Sequence, residues 1–314
     1  VRQGGKSQTA EAPLPAPAEE GGETPEFALA SLTYDLLRRW TGIRPPWGKM
    51  TGVRPVRLVH DKRAAGWTEE QIDDFFLKRF DCSPEKYGMA KAIADLQEPI
   101  LKAGSAPKTY SLYIGIPFCP SRCSYCSFVS CNLDRDRKLV QPYVDCLCRE
   151  VEAIREEADK AGLKLCSIYI GGGTPTSLSA AQLRQLMGTV RDCFDLSTLV
   201  EYTVEAGRPD CTDAEKLAVI KEYGATRISI NPQTMSDKVL AAVGRRHTAR
   251  QTIEAFYQAV RAGFDDINMD LIAGLPDDDE EGFADSIRQV LALGPSNITV
   301  HTLALWASTL PVAS

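Results

Sequence analysis

The sequence predicts an α/β fold with a small helical region ahead of it. Three observations lead there. Short apolar, β-branched runs recur six times after residue 107, stretches of helical period separate them, and residues 27–106 carry helical periodicity alone. Repetition of strand and helix at this spacing implies parallel strands with the helices outside. Six strands are two short of a closed eight-fold barrel and enough for a doubly wound sheet. In both architectures the chemistry sits on loops at the C-terminal strand ends.

Residues 1–26 hold almost no large apolar groups and are expected to be a disordered tail. Leu29, Leu32, Leu36, Leu37 and Trp40 then fall at helical spacing. Residues 43–55, with Pro45, Pro46, Gly48, Gly52 and Pro55, read as a linker. Helices follow at about 68–80 and 84–102, the first capped by Thr68 with Glu69 and Glu70 at its positive end. Strands are placed at 112–116, 167–170, 201–205, 227–230, 266–271 and 298–303. Between them run Val140, Tyr143, Val144, Leu147, Val151, Ile154 and Ala158; Leu183, Leu186, Met187 and Val190; and Ile253, Phe256 and Val260. The last helix, with Phe283, Ile287, Val290 and Leu291, is opened by Pro276 and a run of acids.

Composition excludes several classes. The chain of 314 residues is 44% hydrophobic and 25% charged, an ordinary globular balance. Its 36 basic and 42 acidic side chains give net charge −6, which argues against a nucleic-acid partner. No run approaches the ~20 apolar residues of a membrane span, and residues 1–26 lack a signal-peptide core. A cytoplasmic protein is expected. Its ten cysteines then read as reduced thiols, metal ligands or buried small groups, not as a disulfide framework.

The loop after the first strand reads Tyr113-Ile-Gly-Ile-Pro-Phe-Cys119-Pro-Ser-Arg-Cys123-Ser-Tyr-Cys126-Ser-Phe. Its three cysteines stand four and three residues apart. Thiolates favour zinc, copper(I) or iron–sulfur sites. A closed zinc site needs four ligands, for which Cys131 is the nearest further thiol, but no histidine or second Cys-x-x-Cys follows nearby. Three thiolates on a cubane leave one iron open for a reactive ligand. Iron–sulfur, zinc and unliganded cysteines all remain open on spacing alone.

The spacing Cys-x3-Cys-x-aromatic-Cys resembles that of the radical S-adenosylmethionine (SAM) superfamily. The resemblance implies a partial (β/α)6 barrel over residues 107–314, with Cys119, Cys123 and Cys126 holding a [4Fe–4S] cluster. It implies that the fourth iron chelates SAM and that Tyr125 lies against the adenine. One-electron cleavage of SAM would give methionine and a 5′-deoxyadenosyl radical, which takes a hydrogen atom from substrate. That chemistry belongs to the cofactors; the protein supplies position and exclusion of water.

Further segments are similar to the oxygen-independent coproporphyrinogen III oxidase family. Gly171-Gly-Gly-Thr-Pro175 alone is a tight glycine turn or an anion-binding nest. In that family the matching loop, here Gly172, Gly173 and Thr174, binds the SAM amino group. Glu205 alone is a solvated side chain; by resemblance it contacts SAM, as do Tyr113, Gln233 and Arg245. A guanidinium such as that of Arg245 suits a carboxylate held by two parallel bonds. Asp270 would contact SAM and Ile272 would pack on adenine. No catalytic side chain beyond the cluster and SAM site is assigned.

Pro46-Trp-Gly-Lys-Met-Thr-Gly-Val-Arg-Pro55 looks like the HemZ-type coproporphyrinogen dehydrogenase branch. That resemblance implies oxidative decarboxylation of two propionates of coproporphyrinogen III to vinyls in heme biosynthesis. A porphyrinogen ligand and a soluble electron donor, flavodoxin or ferredoxin, are implied with it. The Cys126-Ser-Phe ending looks closer to the heme chaperone branch, which implies heme as the ligand. His60, His247 and His301 are read as surface or core residues rather than axial ligands. Family members continue beyond the sixth strand into a domain covering the barrel mouth, so the chain is expected to be a C-terminally truncated core with weakened cluster binding.

Overall fold

Thr24 and Pro25 start the first helix, α1 (Pro25–Thr41). The Thr24 hydroxyl accepts from the Phe27 N–H, and proline suits the first helical position. This computed structural model describes residues 2–3, 6–7, 9–11, 24–52, 54–104 and 106–303. The chain divides into two compact units, Val1–Ala103 and Gly104–Ser314. Most of the tail expected to be disordered lies outside the described residues; within it Arg2–Gln3 pairs antiparallel with Lys6–Ser7.

The first unit continues with α2 (Pro55–Ala64), α3 (Glu69–Asp74) and α4 (Pro84–Gly104). The sequence reading has no helix at α2. The apolar residues of that helix, Val56, Leu58 and Val59, are bunched in one turn and only Val59 is fully buried, so periodicity does not reveal it, although Pro55 is a start signal. Thr68 and Gln71 form a reciprocal capping box on α3, which runs on into a π-helical turn, Phe75–Arg79. Phe76 of that turn is buried and stacks on Tyr87 at 4.8 Å, and Val59, Ile72, Ala90 and Ala94 complete the apolar centre. Gly48, at φ +58°, is required here. A Cβ on it would run into the backbone of Phe80 and Asp81, where the Lys49 N–H bonds the Phe80 carbonyl at 2.8 Å.

In the second unit β1 (Thr109–Ile116), β2 (Lys164–Gly172), β3 (Glu201–Glu205), β4 (Arg227–Ser229), β5 (Asp266–Ala273) and β6 (Asn297–Thr302) form one sheet. Each strand pairs parallel with the next in sequence. An unbroken order is that of a barrel wall; a doubly wound sheet reverses direction at a switch point. Among the described residues nothing pairs β6 with β1, so the barrel is partial. Outside lie α5 (Val140–Ala161), α6 (Ala180–Cys193), α7 (Ala214–Glu222), α8 (Asp237–Ala242), α9 (Ala249–Arg261) and α10 (Glu280–Leu293). The last begins behind its Asp279 cap rather than at Pro276. No helix among the described residues is long and apolar enough to cross a membrane.

The strands bury one apolar face. Leu112, Ile114, Ile116, Ile168, Ile170 and Val204 join a core with Val144 and Val151 of α5 and Leu183, Leu186 and Val190 of α6. Burial of each such side chain contributes roughly 1.5–3 kcal/mol. Alternation turns the intervening residues to the other face. These are polar: Ser111, Tyr113, Ser167, Tyr169, Thr203, Glu205, Ser229, Asn268 and Asp270. They bond one another across strands, Ser167 to Ser111 at 2.7 Å and Asn268 to Ser229 at 3.0 Å. A closed barrel usually fills that face with branched apolar residues; here it is polar instead.

Candidate active site

The cysteine loop leaves β1 through Pro117. Phe118–Cys119 pairs with Cys131–Asn132, and the Cys131 N–H bonds the Pro117 carbonyl at 2.7 Å, closing the base of the loop. Its middle is tied to the segment after α8: the Ser124 N–H bonds Val243 O at 3.0 Å and the Ser121 hydroxyl bonds Gly244 O at 2.9 Å. All ten cysteines are free thiols.

A cavity of about 640 Å³ opens at the C-terminal strand ends. Cys119, Cys123 and Cys126 line it, together with Tyr113, Tyr125, Gly172, Gly173, Thr174, Glu205, Gln233, Arg245, Asp270 and Ile272. Every site residue picked from the sequence therefore faces one space. Burial pushes the Cys126 thiol up. Among the described residues no three His, Cys, Asp or Glu side chains converge on a metal position. Thiols must lose their protons to ligate, and such sets are completed as the metal binds.

The glycine loop seals one side. A Cβ on Gly173 would lie 2.9 Å from Cys119 Sγ and 2.9 Å from the Phe118 carbonyl, so only glycine fits. Thr174 is buried with its hydroxyl 3.5 Å from Cys119 Sγ. Of the two readings of this segment, turn or nest, the turn fits better, because the Gly173 N–H already bonds Ile116 O at 2.9 Å and is not free for an anion.

The opposite wall is acidic and aromatic. Tyr169 donates to Glu205 Oε1 at 2.5 Å, and its ring stacks on Tyr113 at 5.9 Å. Burial raises the Glu205 carboxyl above its ordinary range; the Asp270 charge adds to this, and the Tyr169 and Gly172 bonds oppose it. Asn268 donates to Asp270 Oδ1 at 2.7 Å. Tyr125 and Ile272 pack with Val239, Val243 and Leu275 into an apolar shelf, and burial pushes the Tyr125 phenol up to about 12.

Arg245 is buried, and its Nη2 donates to the Gly207 and Asn231 carbonyls at 2.6 and 2.9 Å. Its Nη1 donates to the Tyr125 hydroxyl at 3.2 Å and its Nε to His247 Nδ1 at 3.5 Å, leaving one Nη1 hydrogen. The two-bond grip on a carboxylate expected from the sequence is therefore unavailable to it. Gln233 adopts φ +70°, and its buried Oε1 has no partner. That acceptor, on a cavity wall, is open to a donor from a bound ligand or water. Reduced thiols, a cradle that a Cβ would fill and this orphaned oxygen fit a cysteine-ligated cluster with a polar ligand beside it.

Sequence reasoning did not pick out several other polar residues of this cavity. Arg208, Asn231, Tyr169 and Ser121 also line the cavity, and Asp210 holds Arg208. A polar residue at a strand end or in a turn has no periodic signal, and only the two-residue alternation of β2 marks Tyr169 as opposite the core. Cys131 packs against the apolar core and not on the cavity, which removes it as a fourth ligand. His247 is buried and held neutral, its pKa drawn down to about 3 by burial and the Arg245 charge. His301 does line the cavity.

A partial parallel barrel with a three-cysteine loop after its first strand defines a class. The Radical SAM superfamily profile matches residues 113–290, and the chain belongs to that superfamily, whose cofactors are a [4Fe–4S] cluster and SAM. It is 39% identical over 282 residues to the oxygen-independent coproporphyrinogen-III oxidase-like protein HemZ of Bacillus subtilis, covering 88% of this chain and 55% of that protein. It is 38% identical over 194 residues to the heme chaperone HemW of the same organism, covering 62% and 50%. Among solved structures it resembles the coproporphyrinogen III oxidase HemN of Escherichia coli with TM-score 0.58 and 28% identity, over 68% of this chain and 48% of that one. The chain thus spans about half the length of the relatives it matches.

Proposed function

We propose that this chain carries the radical-generating core of an oxygen-independent coproporphyrinogen III dehydrogenase, which converts two propionates to vinyl groups. The observation that carries the reading is the single cavity joining the three thiols to the polar strand ends. When bound, the cluster and SAM supply a carbon-centred radical that takes a hydrogen atom from substrate. Cys119, Cys123 and Cys126 hold the cluster. Glu205 and Asp270 would present carboxylates to the cationic end of SAM, and the remaining Nη1 hydrogen of Arg245 would be free for its carboxylate. Gln233 Oε1 accepts from a ligand donor. The shelf of Tyr125 and Ile272 takes the adenine and keeps water from it. A soluble donor such as flavodoxin or ferredoxin would supply the electron, and the net charge of −6 argues against a nucleic-acid partner.

A second reading, a heme chaperone on the same scaffold, is favoured by Ser127 and Phe128 after the third cysteine and by the likeness to HemW. Anaerobic incubation with coproporphyrinogen III, SAM and a reductant separates the two. Deoxyadenosine and vinyl porphyrin together are expected. Deoxyadenosine without vinyl product, with tight stoichiometric heme binding, would replace the dehydrogenase by the chaperone.

A further inference from the structure

The cysteine loop rests on a buried cation that the cofactor contacts above do not use. Arg208 lies three residues past β3, and its side chain is 5% exposed. Its Nε and Nη2 donate to Asp210 Oδ1 and Oδ2 at 3.0 and 2.9 Å. The same Nη2 donates to the Ser121 hydroxyl at 3.0 Å, and Nη1 to the Ser121 carbonyl at 3.3 Å. Nη1 also stands 3.9 Å from Cys123 Sγ. A desolvated ion pair is weak evidence for stability, because removing both charges from water offsets their attraction. Its yield is geometry, and here the guanidinium is the member of the pair that reaches the loop and its sulfur.

We infer that Arg208 is a positioning residue for the iron–sulfur centre. It pins the loop through both polar atoms of Ser121 and sets a positive N–H beside the Cys123 sulfur. Asp210 orients the guanidinium and offsets part of its charge. A reduced cluster carries one more negative charge than the oxidised one, so the cation favours reduction and raises the potential. Cluster potentials follow net charge and hydrogen bonds to sulfur, and partners behind the ligands tune them. The inference rests on the proposed assignment of Cys119, Cys123 and Cys126 to the cluster.

The test is a potentiometric titration with dithionite as reductant and EPR detection of the reduced cluster. Iron and sulfide are measured alongside, on anaerobically reconstituted wild type, Arg208→Gln, Arg208→Lys and Asp210→Asn. Arg208→Gln should disfavour the reduced form about tenfold, a shift of about 59 mV to more negative potential for one electron. Asp210→Asn, which keeps the cation and removes the opposing charge, should shift the potential the other way. Arg208→Lys should fall nearer wild type than Arg208→Gln. A merely structural role would lower the iron content of all three without shifts of opposite sign. Loaded clusters with unshifted potentials, or shifts of one sign, overturn the inference. Should Arg208→Gln fail to hold a cluster, the sign from Asp210→Asn decides: positive supports it, zero or negative overturns it. Full iron in Cys123→Ala would instead overturn the cluster assignment and this inference with it.

Discussion

Two arginines show how differently the two units use charge. Arg63, in the first unit, meets Glu69 at 3.0 Å, Asp95 at 2.8 Å and Glu98 at 3.7 Å, but those carboxylates are 50%, 57% and 42% exposed. Arg208, in the second, has one carboxylate partner, and the two side chains are 5% and 15% exposed. The first is a solvent-screened network in which each pair is worth about 0–1 kcal/mol. The second is desolvated, held by Ser121 and turned toward the cysteine loop. The number of ion pairs around a residue does not locate function; the depth of the pair and what it faces do.

Substitution breaks this comparison most directly. Arg208→Met strands Asp210 without its cation and should cost about 3–5 kcal/mol in chemical denaturation of the second unit. Arg63→Met should cost about 1 kcal/mol or less in the first. Equal losses would erase the distinction. Burial raises the Asp210 carboxyl, yet the bonds and charge of Arg208 outweigh it and hold Asp210 below the usual range. The stability from that pair is present above the ordinary carboxylate range and is lost as pH falls through the depressed value.

Gly173→Ala should have the next largest effect. Its methyl group would press on Cys119 Sγ and the Phe118 carbonyl, both 2.9 Å away. A cost of about 1–3 kcal/mol is expected, with weaker SAM binding by equilibrium dialysis. Unchanged melting and affinity would mean the loop yields freely.

The smallest effect sharpens the contrast from the other side. Glu205 is half-buried, and desolvation raises its pKa, so it binds its proton more tightly in the folded chain. Its contribution to stability therefore falls as pH rises from the ordinary glutamate value through the raised one. Glu205→Gln removes that slope. Relative to wild type it should melt higher at neutral pH than in acid, while binding SAM less well. A difference independent of pH would show that the burial of Glu205 carries no such cost.

The six strands were legible because their outer face is β-branched and alternates, as in Ile168, Ile170 and Val204. The cysteine loop was legible because thiolate chemistry constrains both spacing and residue type. Helix α2 was not, since Val56, Leu58 and Val59 fall within one turn and do not recur, and α7 and α8 are too short for a clear period. Arg208 was hidden for a different reason: it lies in Gly207-Arg-Pro-Asp210, outside any periodic run, and a contact that holds it comes from Ser121, 87 positions away. Arg245 was found, but its geometry was not. The carbonyls of Gly207 and Asn231 take its Nη2, and backbone acceptors leave no trace in side-chain patterns.

Radical generation by this chain requires Cys119, Cys123 and Cys126 to hold a cluster, and metal analysis tests this most directly. After anaerobic reconstitution, wild type should carry about four irons and about four sulfides per chain. Cys126→Ala should lose them while its circular dichroism stays that of the folded chain, because the ligands sit on a loop outside the core. About one zinc per wild-type chain, with neither iron nor sulfide, would contradict the claim.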